Sequence, residues 1–275
     1  MSVTTEVNPG EVPVGAICGK FTINANGDQV YFSQGNLQYI GSAATPYWKF
    51  ADNQWDILGT TTGQNSSSQN VDRDLFGWGT SGYSHGANCY QPWNTSTAYN
   101  DYWAYANAFF NLHDQTGQAD WGYNPISNGG NHANQWRTLT LYQWEYIFNT
   151  RTSSSGIRYA KAKVNDVNGV ILLPDDWNSD TYSLSNTNTD NASFSSNVIT
   201  TSQWSALEQA GAVFLPAAGN RHGTSVYDVG SYGDYWSAWY YDGSRARYVY
   251  FNDSSLYTGD SGRGSGFSVR LVQDL

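Results

Sequence analysis

The sequence predicts an α+β domain of short antiparallel strands, two main helices and long irregular loops. Three observations carry that prediction. Asn-Gly pairs and single glycines punctuate short alternating or apolar runs, and Gly alone accounts for 28 of the 275 residues. Only two stretches show a helix-start signature followed by apolar residues at helical spacing. Two others, 60–70 and 179–196, are dominated by Ser, Thr, Asn, Asp and Gly. Ordering them gains little apolar burial, so they read as surface loops.

Phe21 to Phe32 reads as a hairpin turning at Asn26-Gly27, a pair that tolerates the positive φ angles of a tight turn. Thr140 and Gln143 form a capping box, and Leu141, Trp144 and Phe148 then share one helical face. Tyr159 to Val164 and Val170 to Leu173 read as a second hairpin turning at Asn168-Gly169 and closed by Pro174. Val170 to Leu173 is apolar at every position, which predicts a strand covered on both faces. Thr200 and Gln203 repeat the capping box, Trp204 and Leu207 point inward, and Gly211 sits where a left-handed helix stop is expected. Val213 to Leu215 follows as a strand. No tandem repeat is present. Residues 1–14 read as a linker or tail and 15–275 as one domain, the single large unit expected at 30.4 kDa.

Charged residues are only 13 % of the chain, aromatic residues are 16 %, and the net charge is −10. Low charge with many aromatics excludes a disordered chain or a coiled coil. The acidic balance argues against nucleic acid, which requires Lys and Arg to replace counterions, and against anionic lipid. No apolar run is long enough to span a membrane, so no direct membrane insertion is expected. Met1 to Thr5 lacks the basic start and apolar middle of a signal peptide. Cys18 and Cys89 form a pair or stand as two free thiols, and the sequence leaves both open.

Catalytic patterns are thin. The histidines, His85, His113, His132 and His222, show no metal-ligand spacing, and the His85–Cys89 interval lies among glycines that favour a loop over a metal-binding helix. No nucleophile elbow or Walker loop occurs. Asp175-Asp176 reads as a hydrated turn or helix cap ahead of a calcium site.

The unusual stretch is Tyr240 to Ser265. It holds five Tyr, five Ser, four Gly, three Asp and one Asn. This is the composition of an antibody-type binding surface: Tyr gives a large amphipathic face at low conformational cost, and Ser, Gly and Asn give adaptable hydrogen bonds. Arg245 and Arg247 add a residue enriched at binding hot spots. Alternation places Val249, Phe251 and Leu256 inward and Tyr248, Tyr250 and Asn252 outward. The competing reading is a Tyr-rich edge strand stacked on a neighbour.

Several blocks then resemble a known family in its order: WRTLTLYQWEYIFNTR from Trp136, RYAKAKVNDVNGVILLPDDW from Arg158, AGAVFLPAAGNRHGTSV from Ala210, GSYGDYWSA from Gly230, and GFSVRLV from Gly266. Together they resemble the variable proteins of diversity-generating retroelements, particularly those of Bacteroides-type gut bacteria and their phages. The resemblance covers the chain from about Gly15 and implies a C-type lectin fold of the formylglycine-generating-enzyme type. It implies that a reverse transcriptase copies a template repeat with errors at adenines and replaces the end of the gene. Asn codons of AAC type then become codons for Tyr, Ser, Asp, Gly, Arg or His, never for Lys, Glu, Gln, Met or Trp. Tyr240 to Ser265 contains none of those five.

Carried over residue by residue, the resemblance implies a ligand-binding region at about 220–265. The expected contact residues are His222, Tyr227, Asp228, Tyr232, Asp234, Tyr240, Tyr241, Asp242, Ser244, Arg245, Arg247, Tyr248, Tyr250, Asp253, Ser254, Ser255, Tyr257, Asp260 and Ser265. Glycines 259, 262 and 264 and Ser261 join the diversified set. Trp236, Ala246, Val249, Phe251, Arg263, Gly266 and a Ser268–Arg270 strand are the expected frame. Tyr240, Tyr241, Tyr248, Tyr250 and Tyr257 would be aromatic anchors, with Asp242, Asp253, Arg245 and Arg247 setting polar specificity. The oxidase chemistry of the enzyme branch uses cysteines in the C-terminal half, and none follows Cys89 here. The EPN and QPD sugar motifs of animal C-type lectins are also missing.

The expectation is therefore a non-enzymatic protein on a bacterial surface or phage virion, binding a protein or glycan on a target cell. No cofactor is expected, and a structural calcium and the oligomeric state are left open. The alternatives are a glycan-binding lectin or structural surface protein that never diversifies, and an oxidase of the same fold.

Overall fold

The computed structural model describes residues 11–60, 63, 64, 66–83, 90–102, 110–114 and 117–275. His85, Cys89 and the first residues lie outside that set. Strands β1 (Ala16–Thr22), β2 (Gln29–Ser33), β15 (Leu271–Asp274) and β5 (Arg137–Thr138) form one antiparallel sheet in the order β1-β2-β15-β5, tying both ends of the domain together. A second sheet has the order β8-β6-β7-β9: β8 (Val198–Ile199), β6 (Tyr159–Val164), β7 (Val167–Leu172) and β9 (Val213–Pro216). A third, β12-β13-β14, comprises β12 (Gly233–Tyr240), β13 (Arg245–Phe251) and β14 (Leu256–Gly262). Two ribbons complete the set: β3 (Leu37–Ile40) with β4 (Tyr47–Phe50), and β10 (Asn220–His222) with β11 (Ser225–Tyr227). The architecture is mixed and sheet-rich, with α1 (Leu141–Glu145) and α2 (Thr201–Gln209) as the α-helices among the described residues.

Both capping boxes form: the Thr140 and Thr200 side chains accept from the backbone of Gln143 and Gln203, whose side chains reach back. Helix α1 runs on as a π-helical turn over Tyr146–Thr150, which keeps Phe148 stacked on Trp144, 6.0 Å between ring centres. Helix α2 ends where Gly211 takes φ +88°.

Strand β7 lies between β6 and β9, as its unbroken apolar run predicts. Val170 and Leu172 enter a core shared with Phe21, Phe32, Trp144, Tyr235, Val249 and Phe251. Ile171 faces the opposite way, against Trp204, Leu207 and Phe214.

Three expectations are corrected here. The second hairpin turns at Asn165-Asp166, both at positive φ (47° and 64°), while Asn168 and Gly169 lie within β7 opposite Lys163 and Ala162. Gly169 has a different purpose: a Cβ there would sit 2.4 Å from the Leu215 carbonyl oxygen, so its absence lets β9 approach. In the first hairpin only Gly27 takes positive φ. The Asn24 side chain accepts from the backbone of Asn26 and Asp28, organising a longer loop. The last strand begins at Leu271, and Ser268 makes only an isolated bridge to Tyr235.

A third apolar cluster is built on tryptophan: Trp48, Trp78, Trp121, Trp136 and Trp236 pack with Phe76, Phe267 and Leu271. Four of these indoles also donate to backbone carbonyls: Trp78 to Ser237, Trp121 to Thr80, Trp136 to Gly129 and Trp236 to Phe76, at 2.7 to 3.1 Å. Buried rings thus both fill the core and hydrogen-bond the backbone packed around them.

Buried charges have similar roles. Asp175 is no hydrated turn: it accepts from Thr22, Gln29 and the fully buried Arg151. His113 donates through Nδ1 to Asp120 at 3.0 Å, and its Nε2 lies 2.9 Å from the Thr138 carbonyl. Two acceptors on one ring describe an imidazolium. Burial opposes that charge, but hydrogen bonding and attraction to Asp120 raise the His113 pKa above its usual value. For Asp120, burial is outweighed by the bonds from His113, Thr138 and Gly122, and its pKa is lowered.

Candidate functional site

The three-stranded sheet and its two turns carry most of the expected contact residues, and the register assigns those in the strands to a face. Across β12 and β13, Gly233 opposes Phe251, Asp234 opposes Tyr250, Tyr235 opposes Val249 and Trp236 opposes Tyr248; a bulge follows, and Tyr240 opposes Ala246. Across β13 and β14, Arg245 opposes Gly262, Arg247 opposes Asp260, Tyr248 opposes Gly259 and Tyr250 opposes Tyr257. Residues directly opposite share a face. One face is therefore Arg245, Arg247, Val249 and Phe251, and the other is Ala246, Tyr248 and Tyr250.

Each face is covered along only half its length. Val249 and Phe251 are fully buried beside Trp144 and Tyr235, whereas Arg245 on the same face is exposed. On the other face Ala246 is fully buried, while Tyr250 is half-buried and its partner Tyr257 is 50 % exposed. The sheet thus crosses the core diagonally and presents two separate surfaces at opposite ends.

The first surface is an aromatic ladder. The Tyr250 ring lies 4.7 Å from Tyr257 and 5.4 Å from Tyr232, and its hydroxyl accepts from Asn252. Tyr248 continues it inward, 4.9 Å from Phe267, and is as much core as display. Burial pushes the hydroxyl pKa of both Tyr248 and Tyr250 up. Beside Tyr232 lies a polar cleft of about 380 Å³, walled by Lys163, Asn168, Ser193, Asp253 and Ser254.

The second surface surrounds Tyr241. The guanidinium carbons of Arg245 and Arg247 lie 4.6 and 4.2 Å from its ring centre. Arg245 pairs with Asp242 at 2.9 Å and Asp260 at 2.8 Å. Burial nudges Asp242 upward, but hydrogen bonds from Ser244 and Arg245 hold its pKa at about 2. A second cleft, of about 350 Å³, opens between this surface and the start of α1, where Tyr142 and Trp239 meet.

Several expected contact residues are buried in the frame or bonded to it. Asp234 is 3 % exposed, with Asn220 Nδ2 at 3.3 Å, and burial pushes its pKa to about 7. Tyr240 packs against the tryptophan cluster. Asp242 shapes the β12–β13 turn by accepting from the backbone of Ser244 and Arg245. Asp253 is held by the Ser193 hydroxyl and the Phe194 N–H, both at 2.7 Å. Ser265 is half-buried with its hydroxyl 3.0 Å from that of Ser261. Gly264 is buried, and a Cβ there would sit 2.8 Å from the Ser96 carbonyl. His222, Tyr227 and Asp228 are exposed on the β10–β11 ribbon and its exit, and Ser254 is exposed beside Asp253. Ser244 and Ser255 are half-buried. Among the described residues no group of three or more His, Cys, Asp or Glu side chains is placed to hold a metal ion.

The chain matches no family model, no curated protein and no solved structure. Sequence reasoning missed Tyr142, Asn111 and the Ser193–Ser195 loop as parts of the clefts. Tyr142 carries a readable signal: it lies off the Leu141–Trp144–Phe148 face of α1 and is 64 % exposed. No described helix is long and apolar enough to cross a membrane.

Proposed function

We propose that this chain is a ligand-binding display protein with a C-type lectin fold, whose surface at about 220–265 is diversified by a retroelement. It acts outside the cell, on a bacterial surface or a phage virion, and recognises a protein or glycan on another cell. One observation carries the reading. The expected frame residues Trp236, Ala246, Val249 and Phe251 are buried, at 1 % exposure or less, while Tyr227, Tyr241 and Tyr257 are 40 to 50 % exposed. The expected frame is thus buried and these expected display tyrosines are exposed, the arrangement that a surface able to change without unfolding requires, with Asp234 and Gly264 as buried exceptions. Tyr227, Tyr232, Tyr241, Tyr250 and Tyr257 are the anchors, and Arg245 and Arg247 set polar specificity. The reading assigns no catalytic step.

A library tests it. Positions 227, 241, 245, 247, 254 and 257 are randomised on the intact chain and selected against unrelated proteins and glycans. Folded binders to several targets are expected from this one frame. Failure to obtain binders from a well-folded library would overturn the display role and favour a structural surface protein.

A further inference from the structure

The cleft between the start of α1 and the β12–β13 turn is rich in donors and short of acceptors. Tyr142 and Trp239 meet edge to face, with ring centres 4.5 Å apart at 78°, and form an aromatic corner. Asn111 accepts from the Tyr240 backbone N–H through Oδ1 at 3.3 Å, and its NH₂ makes no hydrogen bond to any described residue. The Trp239 indole N–H and the Arg247 guanidinium make none either, and the nearest carboxylate oxygen to Arg247 is that of Asp260 at 4.0 Å. The neighbouring acids, Asp242 and Asp260, are both engaged by Arg245. Such a lining suits a ligand with one apolar ring face and anionic oxygens.

We infer that this cleft is a subsite for an acidic sugar residue, a pyranose bearing a carboxylate. The C–H face of the pyranose lies in the Trp239–Tyr142 corner, where weakly positive C–H groups meet the negative faces of the rings. The carboxylate takes the planar fork of Arg247, and a ring hydroxyl accepts from Asn111. The volume, about 350 Å³, is at the small end of ligand pockets and holds a ring rather than a helix. The inference deepens the display reading and rests on it only for Arg247. Asn111, Tyr142 and Trp239 lie outside the diversified set, so the corner is common to all variants and residue 247 selects acid or neutral sugar.

Calorimetric titration of the full chain with a short oligogalacturonide, its methyl ester and a proline-rich peptide tests this. Saturable binding of the acid is expected, with an affinity at least about tenfold above the ester, the worth of one charge-assisted contact. Arg247→Gln should abolish that preference, and Tyr142→Ala and Trp239→Ala should abolish binding of both sugars. Exposed Tyr142 keeps the test valid if the Trp239 variant misfolds. Val198→Ala, an exposed change on β8 outside both clefts, should change nothing. Equal binding of acid and ester, no binding of either, or preference for the proline-rich peptide overturns the inference. Loss of binders from the randomised library with sugar binding intact would instead refute only the display reading.

Discussion

Replacing Phe251 and Tyr257 separately by Ala measures the division between frame and display. The two residues lie near each other on β13 and β14, but Phe251 is fully buried and Tyr257 is half-exposed. Phe251 stacks on Tyr235, 6.0 Å between centres at 20°, and meets Phe194 edge-on at 6.3 Å. Gly233 lies beneath it so closely that a Cβ would fall 2.0 Å from its ring, so the site is filled to contact and collapses poorly when emptied. A buried Phe→Ala change of this kind costs about 3–5 kcal/mol. Tyr257 loses one cross-strand ring contact, to Tyr250 at 4.7 Å, while the backbone ladder stays intact. An aromatic pair contributes about 0.5–1.5 kcal/mol, so the cost is about 1 kcal/mol. Urea unfolding of both variants at equal m-value gives the comparison. Equal cost for the two, or a Phe251 cost below about 1 kcal/mol, would refute the assignment of faces.

Three further predictions follow from the buried polar groups and the packed glycine. Asp234 and Asp74 have pKa values raised from 3.8 to about 7 and about 6, chiefly by burial. Their contribution to stability is full below about pH 4 and is lost as pH rises through about 6 to 7. Asp234→Asn should flatten the upper part of that slope in denaturation curves measured across pH, and an unchanged slope would show that the Asp234 pKa is not raised in the fold. Asp120→Asn removes the partner of the part-exposed His113 charge and should cost about 1–3 kcal/mol at pH 6, where both groups are charged; a cost below about 0.5 kcal/mol would show the ring to be neutral. Gly169→Ala should destabilise by about 1–3 kcal/mol through the clash with β9, read by thermal unfolding. A neutral or stabilising result there would show that β9 does not pack against Gly169.

Much of the fold is legible because its signals are local. Thr140 with Gln143 and Thr200 with Gln203 announce both helix starts through neighbouring atoms alone. The unbroken apolar run in β7 reports two covered faces without naming what covers them. The Asn168-Gly169 error shows where local chemistry is insufficient: Asn165-Asp166 supplies a turn of equal quality, and only the approach of β9 explains the glycine. Tyr and Arg enrichment marks the sheet on which Tyr241, Tyr257 and Arg245 are exposed. Alternation alone cannot show that both faces of β13 are half-covered, because that depends on where α1 ends and where the tryptophan cluster begins. For the same reason Asp234 and Tyr248 read as displayed when they are wholly or partly packed.

The sequence of the gene with its flanks, from independent isolates, tests the central claim most directly. Adenine-directed diversification predicts a nearby template repeat with adenines at the codons for Tyr227, Tyr241, Arg245, Arg247, Tyr250 and Tyr257. It predicts substitutions at those codons and constancy at Trp236, Ala246, Val249 and Phe251. A single invariant sequence without a repeat, or variation spread evenly over buried and exposed positions, would contradict the account.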